Sequence, residues 1–122
     1  TINKENADYQ NAKVISIKKI KTNTLNYVLE NSPFKNKEID FLSIDVEGSE
    51  FSVLENFDFE KYKPKIIVVE FLDLSLPKLE IKNLDLIKAQ NSDVSKLIRS
   101  NNYTLVNMLH SDLVFVHNSF RD

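Results

Sequence analysis

A chain of 122 residues, 42% hydrophobic and with eight Phe, is long enough for one compact domain with its own core and too short for two. Its 16 basic and 18 acidic residues are spread without blocks and leave a formal charge of −2, so no electrostatic ground exists for a nucleic-acid or anionic-membrane partner. Zero cysteines exclude disulfides, thiolate nucleophiles and Cys-ligated zinc, and no apolar stretch approaches the ~20 residues of a membrane span, which leads to the expectation of a soluble cytoplasmic protein.

Residues 1–12 are polar, follow neither the helical nor the strand period, and read as a lead-in. From Val14 to Ile20 a period-2 set with β-branched neighbours predicts an edge strand, with Lys18, Lys19 and Lys21 as a solvated margin. Thr24 offers an N-cap hydroxyl to a helix carrying Leu25, Val28 and Leu29, which Ser32-Pro33 ends. After the connector Phe34–Glu38, the apolar run Ile39–Ile44 predicts a strand buried on both faces and stopped by Asp45. Gly48 or Ser49 then opens a helix with Phe51, Val53, Leu54 and Phe57 as its apolar stripe. Asp58–Lys63 leads out, Pro64 closes the link, and Lys65–Phe71 predicts a second buried strand whose apolar run ends at Glu70. The roughly 20 residues between strand ends suit a right-handed crossover between parallel strands.

Leu72–Asn91 has no clean period and reads as a loop with one helical turn, of the kind that serves as a lid beside a catalytic rim. Ser92 or Asp93 caps a helix with Val94, Leu97 and Ile98 that runs out at Asn101-Asn102. Tyr103–Leu109 and Leu113–Val116, joined by His110-Ser111-Asp112, predict an antiparallel hairpin. The resulting expectation is an α/β domain over residues 1–122 whose sheet is mostly parallel, with one antiparallel closing strand.

The chemistry concentrates at Asp45, Glu47 and Glu50, set around Gly48, the one glycine in the chain. In open α/β sheets ligands bind beyond the carboxyl ends of the strands, so Asp45 and Glu70 should share one rim. Each residue also has a plainer reading: Asp45 as a helix cap, Glu50 as a complement to the helix dipole, Glu70 as a solvated strand-end charge, and His110 as a surface turn residue. Phosphate-cradling loops need several glycines, and this chain contains no such loop. G-x-S-x-G and HExxH are also absent, so neither a hydrolase elbow nor a zinc protease is supported.

The run F-L-S-I-D-V-E-G-S-E-F-S-V-L, followed by P-K-I-I-V-V-E-F, resembles the central signature of the FkbM-type methyltransferases. The lead-in I-K-T-N-T-L-N-Y-V-L and the closing N-N-Y-T-L-V and L-V-F-V-H are similar to segments flanking that signature, and the resemblance spans most of Val14–His117. It implies S-adenosylmethionine-dependent methyl transfer, mostly to oxygen, on a Rossmann-like class I sheet whose first strands and glycine-rich cofactor loop have no counterpart here. The chain would then correspond to the carboxyl-terminal half of the domain, a fragment inactive by itself that self-associates through exposed sheet edges.

Asp45, Glu47, Glu70 and His110 are the candidate catalytic residues, and Gly48 and Glu50 the candidate cofactor contacts. A strand-end carboxylate could take the acceptor's proton, or Asp45 and Glu70 could hold a divalent cation such as Mg²⁺ that acidifies a hydroxyl on a small molecule or glycan. Two other readings compete. One is a metal-dependent phospho- or glycosyltransferase site at Asp45-Val46-Glu47, and the other is a non-catalytic α/β interaction module.

Overall fold

The computed structural model describes residue 16, residues 18–73 and residues 85–121. In chain order these form α1 (Leu25–Glu30), β1 (Phe41–Ile44), α2 (Glu50–Leu54), α3 (Phe59–Tyr62), β2 (Ile66–Glu70), α4 (Leu86–Gln90), α5 (Asp93–Ser100), β3 (Tyr103–Leu109) and β4 (Asp112–His117), with a 3₁₀ turn at Asn118–Phe120. The four strands make one sheet in the order β1-β2-β4-β3.

β1 and β2 are parallel, as the crossover length requires, with Ile44 opposite Val69. Both other pairings are antiparallel, β2 with β4 and β4 with β3, so the sheet is mixed and the expectation of a mostly parallel sheet is corrected. The reason is topological: the hairpin inserts its second strand, not its first, against β2, which adds two antiparallel ladders to one parallel ladder. A bulge between Leu105 and Asn107 absorbs a register shift within that hairpin.

Burial along β2 alternates, with Ile67 and Val69 inside and Ile66, Val68 and Glu70 half-buried. Phe115 and Leu113 stand opposite Ile67 and Val69 and are fully buried, so these four define the sheet's core face. Leu54 of α2 and Ile98 of α5 join them in one cluster, and α5 packs on both α2 and β3. The expectation that β1 and β2 are buried on both faces therefore fails among the described residues. Among the described residues β1 is an edge strand, and Phe41 is 58% exposed. A continuous apolar run cannot by itself tell a doubly covered strand from one whose second face is left half open.

Local signals determine most helix ends. Thr24 caps α1 by accepting from the Tyr27 amide at 3.2 Å, and Ser92 caps α5 by accepting from the Ser95 amide at 3.3 Å. Asn102 closes α5 in the left-handed region at φ 69°, a conformation Asn tolerates. The stretch expected to lead out of α2 instead folds as a second short helix, α3, capped by Asp58 accepting from the Lys61 amide at 2.9 Å. Phe57, Phe59 and Tyr62 are buried around this link, with Phe57 and Phe59 edge to face at 5.0 Å and Phe57 stacked on Tyr62 at 5.6 Å. Phe51 does not join the stripe and is 41% exposed. Asn26 of α1 fastens the same link, donating to the Asn56 carbonyl at 2.8 Å and accepting from the Asp58 amide at 3.1 Å.

Ser16 and residues 18–24 adopt no regular structure, which corrects the strand expected over Val14–Ile20 for its described part, while residues 14, 15 and 17 lie outside the described residues. The expected lid falls largely on residues 74–84, which also lie outside them; the helical turn anticipated nearby is α4. No helix among the described residues is long and apolar enough to cross a membrane.

Candidate functional site

β1 and β2 point the same way and pair with Ile44 opposite Val69, so the residues that follow, Asp45 and Glu70, emerge side by side on one rim. The chain past β1 makes a tight tip, with Glu47 at φ 56° and Gly48 at φ 88°. Gly48 is the residue type this backbone demands, whereas Glu47 accepts a left-handed conformation costing about 1–2 kcal/mol. One carboxylate oxygen from each of Asp45, Glu47 and Glu70 lies within 4.8 Å of the others, Asp45 being exposed and the other two half-buried.

What holds the tip is Glu50. Its side chain is 4% exposed, and its Oε1 accepts from the Val46 and Gly48 amides, each at 3.1 Å. A carboxylate bridging two backbone N–H groups makes charge-assisted bonds worth about 1.5–3 kcal/mol each. Expected to complement a helix dipole or touch a cofactor, Glu50 turns inward and braces the loop that carries Asp45 and Glu47.

Glu70 is the electrostatic focus. Burial pushes its carboxyl up to about 7, and the negative charges of Asp45, Glu47, Glu50 and Asp112 push in the same direction. Its Oε2 is buried with no hydrogen-bond partner among the described residues, while Oε1 accepts from Ser111 Oγ at 3.5 Å. Ser111, itself buried, also lies 3.3 Å from His110 Nδ1 and offers its carbonyl to the Phe71 amide at 2.8 Å. His110 is exposed on the turn at φ 56° and meets Glu70 through this hydroxyl.

The sequence reading singled out neither Ser111 nor Asp112 as a rim residue. The pairing that brings them there is long-range: β4 runs antiparallel to β2, so its first residues, including Asp112 opposite Glu70, lie where β2 ends. Asp73 was missed as well. Buried just past β2, its two carboxylate oxygens each lie 2.6 Å from Lys88 Nζ, which ties the exit of β2 to α4. Around this pair, between Phe71–Asp73 and Lys88–Asp93, lies a depression of about 420 Å³ that starts one residue beyond Glu70.

The three carboxylates form a hard oxygen donor set of the kind that suits Mg²⁺ or Ca²⁺, but a 4.8 Å spread must contract for Mg²⁺, whose bonds are about 2.1 Å. Without a cation, burial and the same crowding leave Glu70 titrating near 7, as expected of a general base at a strand-end crevice.

A parallel β-α-β unit with a carboxylate rim at its strand ends puts these acids where open α/β sheets bind their ligands. The family of this chain is shown by sequence: the Methyltransferase FkbM domain matches residues 2–105, and the chain belongs to that family. No curated protein and no solved structure matches it. Membership supports methyltransferase chemistry, and places the rim residues Asp45–Glu50 and Glu70 inside the matched region.

Proposed function

We propose that this chain supplies the acceptor-activating part of an S-adenosylmethionine-dependent O-methyltransferase acting on a hydroxyl of a small molecule or glycan, on a Rossmann-like frame. The observation that carries the reading is Glu70, a half-buried carboxylate titrating near 7 on a rim shared with Asp45 and Glu47, within a chain of the FkbM family. When bound, S-adenosylmethionine supplies an electrophilic methyl group on a sulfonium and leaves as a neutral thioether. The protein's tasks are to align the acceptor and take its proton.

Glu70 receives the hydroxyl proton on a carboxylate oxygen as the acceptor oxygen becomes bonded to carbon. Ser111 Oγ orients the other oxygen, and His110, 3.3 Å from that hydroxyl, offers the proton a way to solvent. The negative charges of Asp45 and Glu47, after burial, help to raise the Glu70 carboxyl and keep it basic. The depression beyond Glu70 gives the acceptor a seat, with the Asp73–Lys88 pair in its wall. On the cofactor side, Gly48 is exposed and lacks the Cβ that would hinder close approach, while Glu50 acts by fixing Gly48 in place. One glycine in 122 residues supports a further reading, that the glycine-rich part of the cofactor cradle is supplied by additional polypeptide.

A second reading rests on the oxygen spacing. Asp45, Glu47 and Glu70 would hold Mg²⁺, which would lower the hydroxyl's pKa in place of a protein base. The metal-dependent phospho- or glycosyltransferase and the non-catalytic module have no comparable support, since the family match favours methyl transfer.

The test is transfer of a labelled methyl group to a panel of hydroxyl acceptors by the polypeptide that binds S-adenosylmethionine, with and without EDTA. Transfer lost in Glu70→Gln and indifferent to EDTA supports the base. Loss with EDTA supports the cation, and undiminished transfer in Glu70→Gln without EDTA sensitivity removes Glu70 from the chemistry.

A further inference from the structure

A cavity of about 540 Å³ opens at the opposite end of β1 and β2, where Ile39 and Lys65 lead into the strands. Five lysines from two separate backbone segments line it: Lys35 and Lys37 from the turn after α1, and Lys61, Lys63 and Lys65 from α3, its C-cap and the entry to β2. Two glutamates share the wall, Glu38 and Glu60, so the lining keeps a formal excess of three positive charges in a chain whose total is −2.

Partners decide which of these charges are available. Lys61 is paired with Glu30, and Lys65 with Asp40 at 2.6 Å and Glu38 at 3.5 Å. The ammonium groups of Lys35, Lys37 and Lys63 make no ion pair or hydrogen bond among the described residues. Glu60 sits in the first turn of α3, where the helix amino end offsets its charge. The unneutralised Lys63 acts on its surroundings: with burial as the larger cause, its positive charge lowers the pKa of His117. Lys63 also holds φ 39°, ψ 59°, a left-handed conformation costing about 1–2 kcal/mol that Gly would adopt freely. Beside the lysines stands Phe120, 47% exposed, with Lys65 Nζ 5.6 Å from its ring centroid.

We propose that this groove is a binding site for a small oligophosphate, whose charge is met by Lys35, Lys37 and Lys63 and whose organic part, where it has one, lies on Phe120. Lysine is a point-charge phosphate binder, and a concave wall concentrates the field of several such charges more than a flat surface does. Two sources share this chemistry: a free inorganic oligophosphate, and a phosphate ester carrying a ring. The site is separate from the acid rim and stands whatever the reaction there.

Inorganic triphosphate and ATP, titrated into the whole chain by ¹H–¹⁵N NMR at low and at moderate ionic strength, provide the test. Saturable binding is expected, with shifts centred on residues 35–39, 60–65 and 120 and an affinity that falls as salt rises. In Lys35→Gln/Lys37→Gln/Lys63→Gln the Kd should rise about tenfold or more. ATP binding more tightly than triphosphate, with the difference abolished in Phe120→Ala, assigns the ester; equal affinities assign the free oligophosphate. Lys63→Gly separates binding from folding, because relief of backbone strain should raise the melting temperature while affinity falls. The site is overturned by no saturable binding up to about 10 mM ligand, by shifts centred elsewhere, or by full affinity in the triple variant.

Discussion

The same two parallel strands end in opposite electrostatics. At their carboxyl ends Asp45, Glu47 and Glu70 crowd together with Asp112 nearby, and like charge plus burial drives Glu70 up to about 7. At their amino ends lysines gather around a larger cavity, yet the two with resolved ion pairs are matched by Glu30, Glu38 and Asp40. The difference is one of how charge is held. The groove meets part of its charge with salt bridges near solvent, where such pairs contribute little. The rim sets Glu70 among negative charges that push its carboxyl up, and Glu50 braces the tip from beneath. Like charge gathered around one half-buried carboxyl at a strand-end rim is the ground for the role proposed for Glu70.

The sharpest way to break the contrast is at Glu70. Glu70→Gln should lower methyl transfer about 10²–10⁴-fold, the range for losing a general base, measured as kcat/KM at pH 8. Wild-type transfer should rise with pH through about 7 as Glu70 ionises. A wild-type rate that is flat from pH 6 to 8 would detach this carboxylate from the rate-limiting proton transfer.

Next in size is the brace. Glu50→Ala leaves the Val46 and Gly48 amides without their acceptor in a part-buried setting, at about 1–3 kcal/mol for each orphaned group. Unfolding in urea should show a loss of about 2–5 kcal/mol, whereas Glu50→Gln, which keeps one acceptor oxygen, should lose clearly less. Equal losses would mean that Glu50 acts by its charge and not by holding the tip.

Much of this was readable beforehand, and the failures share a cause. Thr24, Ser92 and the two-residue turn after Leu109 act within a few residues of themselves, so cap and hairpin were visible in the chain. The parallel pairing of β1 and β2, and hence the meeting of Asp45 with Glu70, followed from crossover length and apolar runs. Nothing local says which strand of the hairpin docks on β2, so the mixed sheet and the place of Ser111 and Asp112 at the rim were missed. The bracing role of Glu50 was missed for a similar reason: the amides that donate to it lie backward in the chain, at Val46 and Gly48, where a first-turn helix acid is expected to look toward the dipole. The lysines at 35 and 37 and at 61, 63 and 65 are separated by the whole of β1 and α2, and only the fold brings them to one wall.

A subtler measure of the rim's frustration is stability against pH. Glu70 titrates near 4.5 when unfolded and near 7 when folded, so the folded state holds its proton more tightly. Its contribution is therefore fully present below about 4.5 and is lost as pH rises through 7. Glu70→Gln removes the ionised form, so it should stabilise the fold relative to wild type at pH 8 and show little effect at pH 5. Because the side chain is only half-buried, solvent screening cuts the pH 8 gain to the order of 1 kcal/mol. A variant equally stable relative to wild type at both pH values would mean that the rim is not strained.

The groove supplies the matched comparison with the smallest effect. Lys61 and Glu30 are both substantially exposed, and an ion pair of that kind contributes about 0.2–1 kcal/mol. Glu30 also accepts from the Tyr62 hydroxyl at 3.3 Å, so Glu30→Gln should retain that bond and lose only the charge. The expected change is a few tenths of a kcal/mol, fading as salt is raised from 0.05 to about 0.5 M because screening already weakens the pair. The same salt series should barely move Glu50→Ala, because the Glu50 carboxylate it removes is buried. If instead the Glu30 variant were the salt-insensitive one, the groove's charges would be held as tightly as the rim's, and the distinction between the two ends of the sheet would collapse.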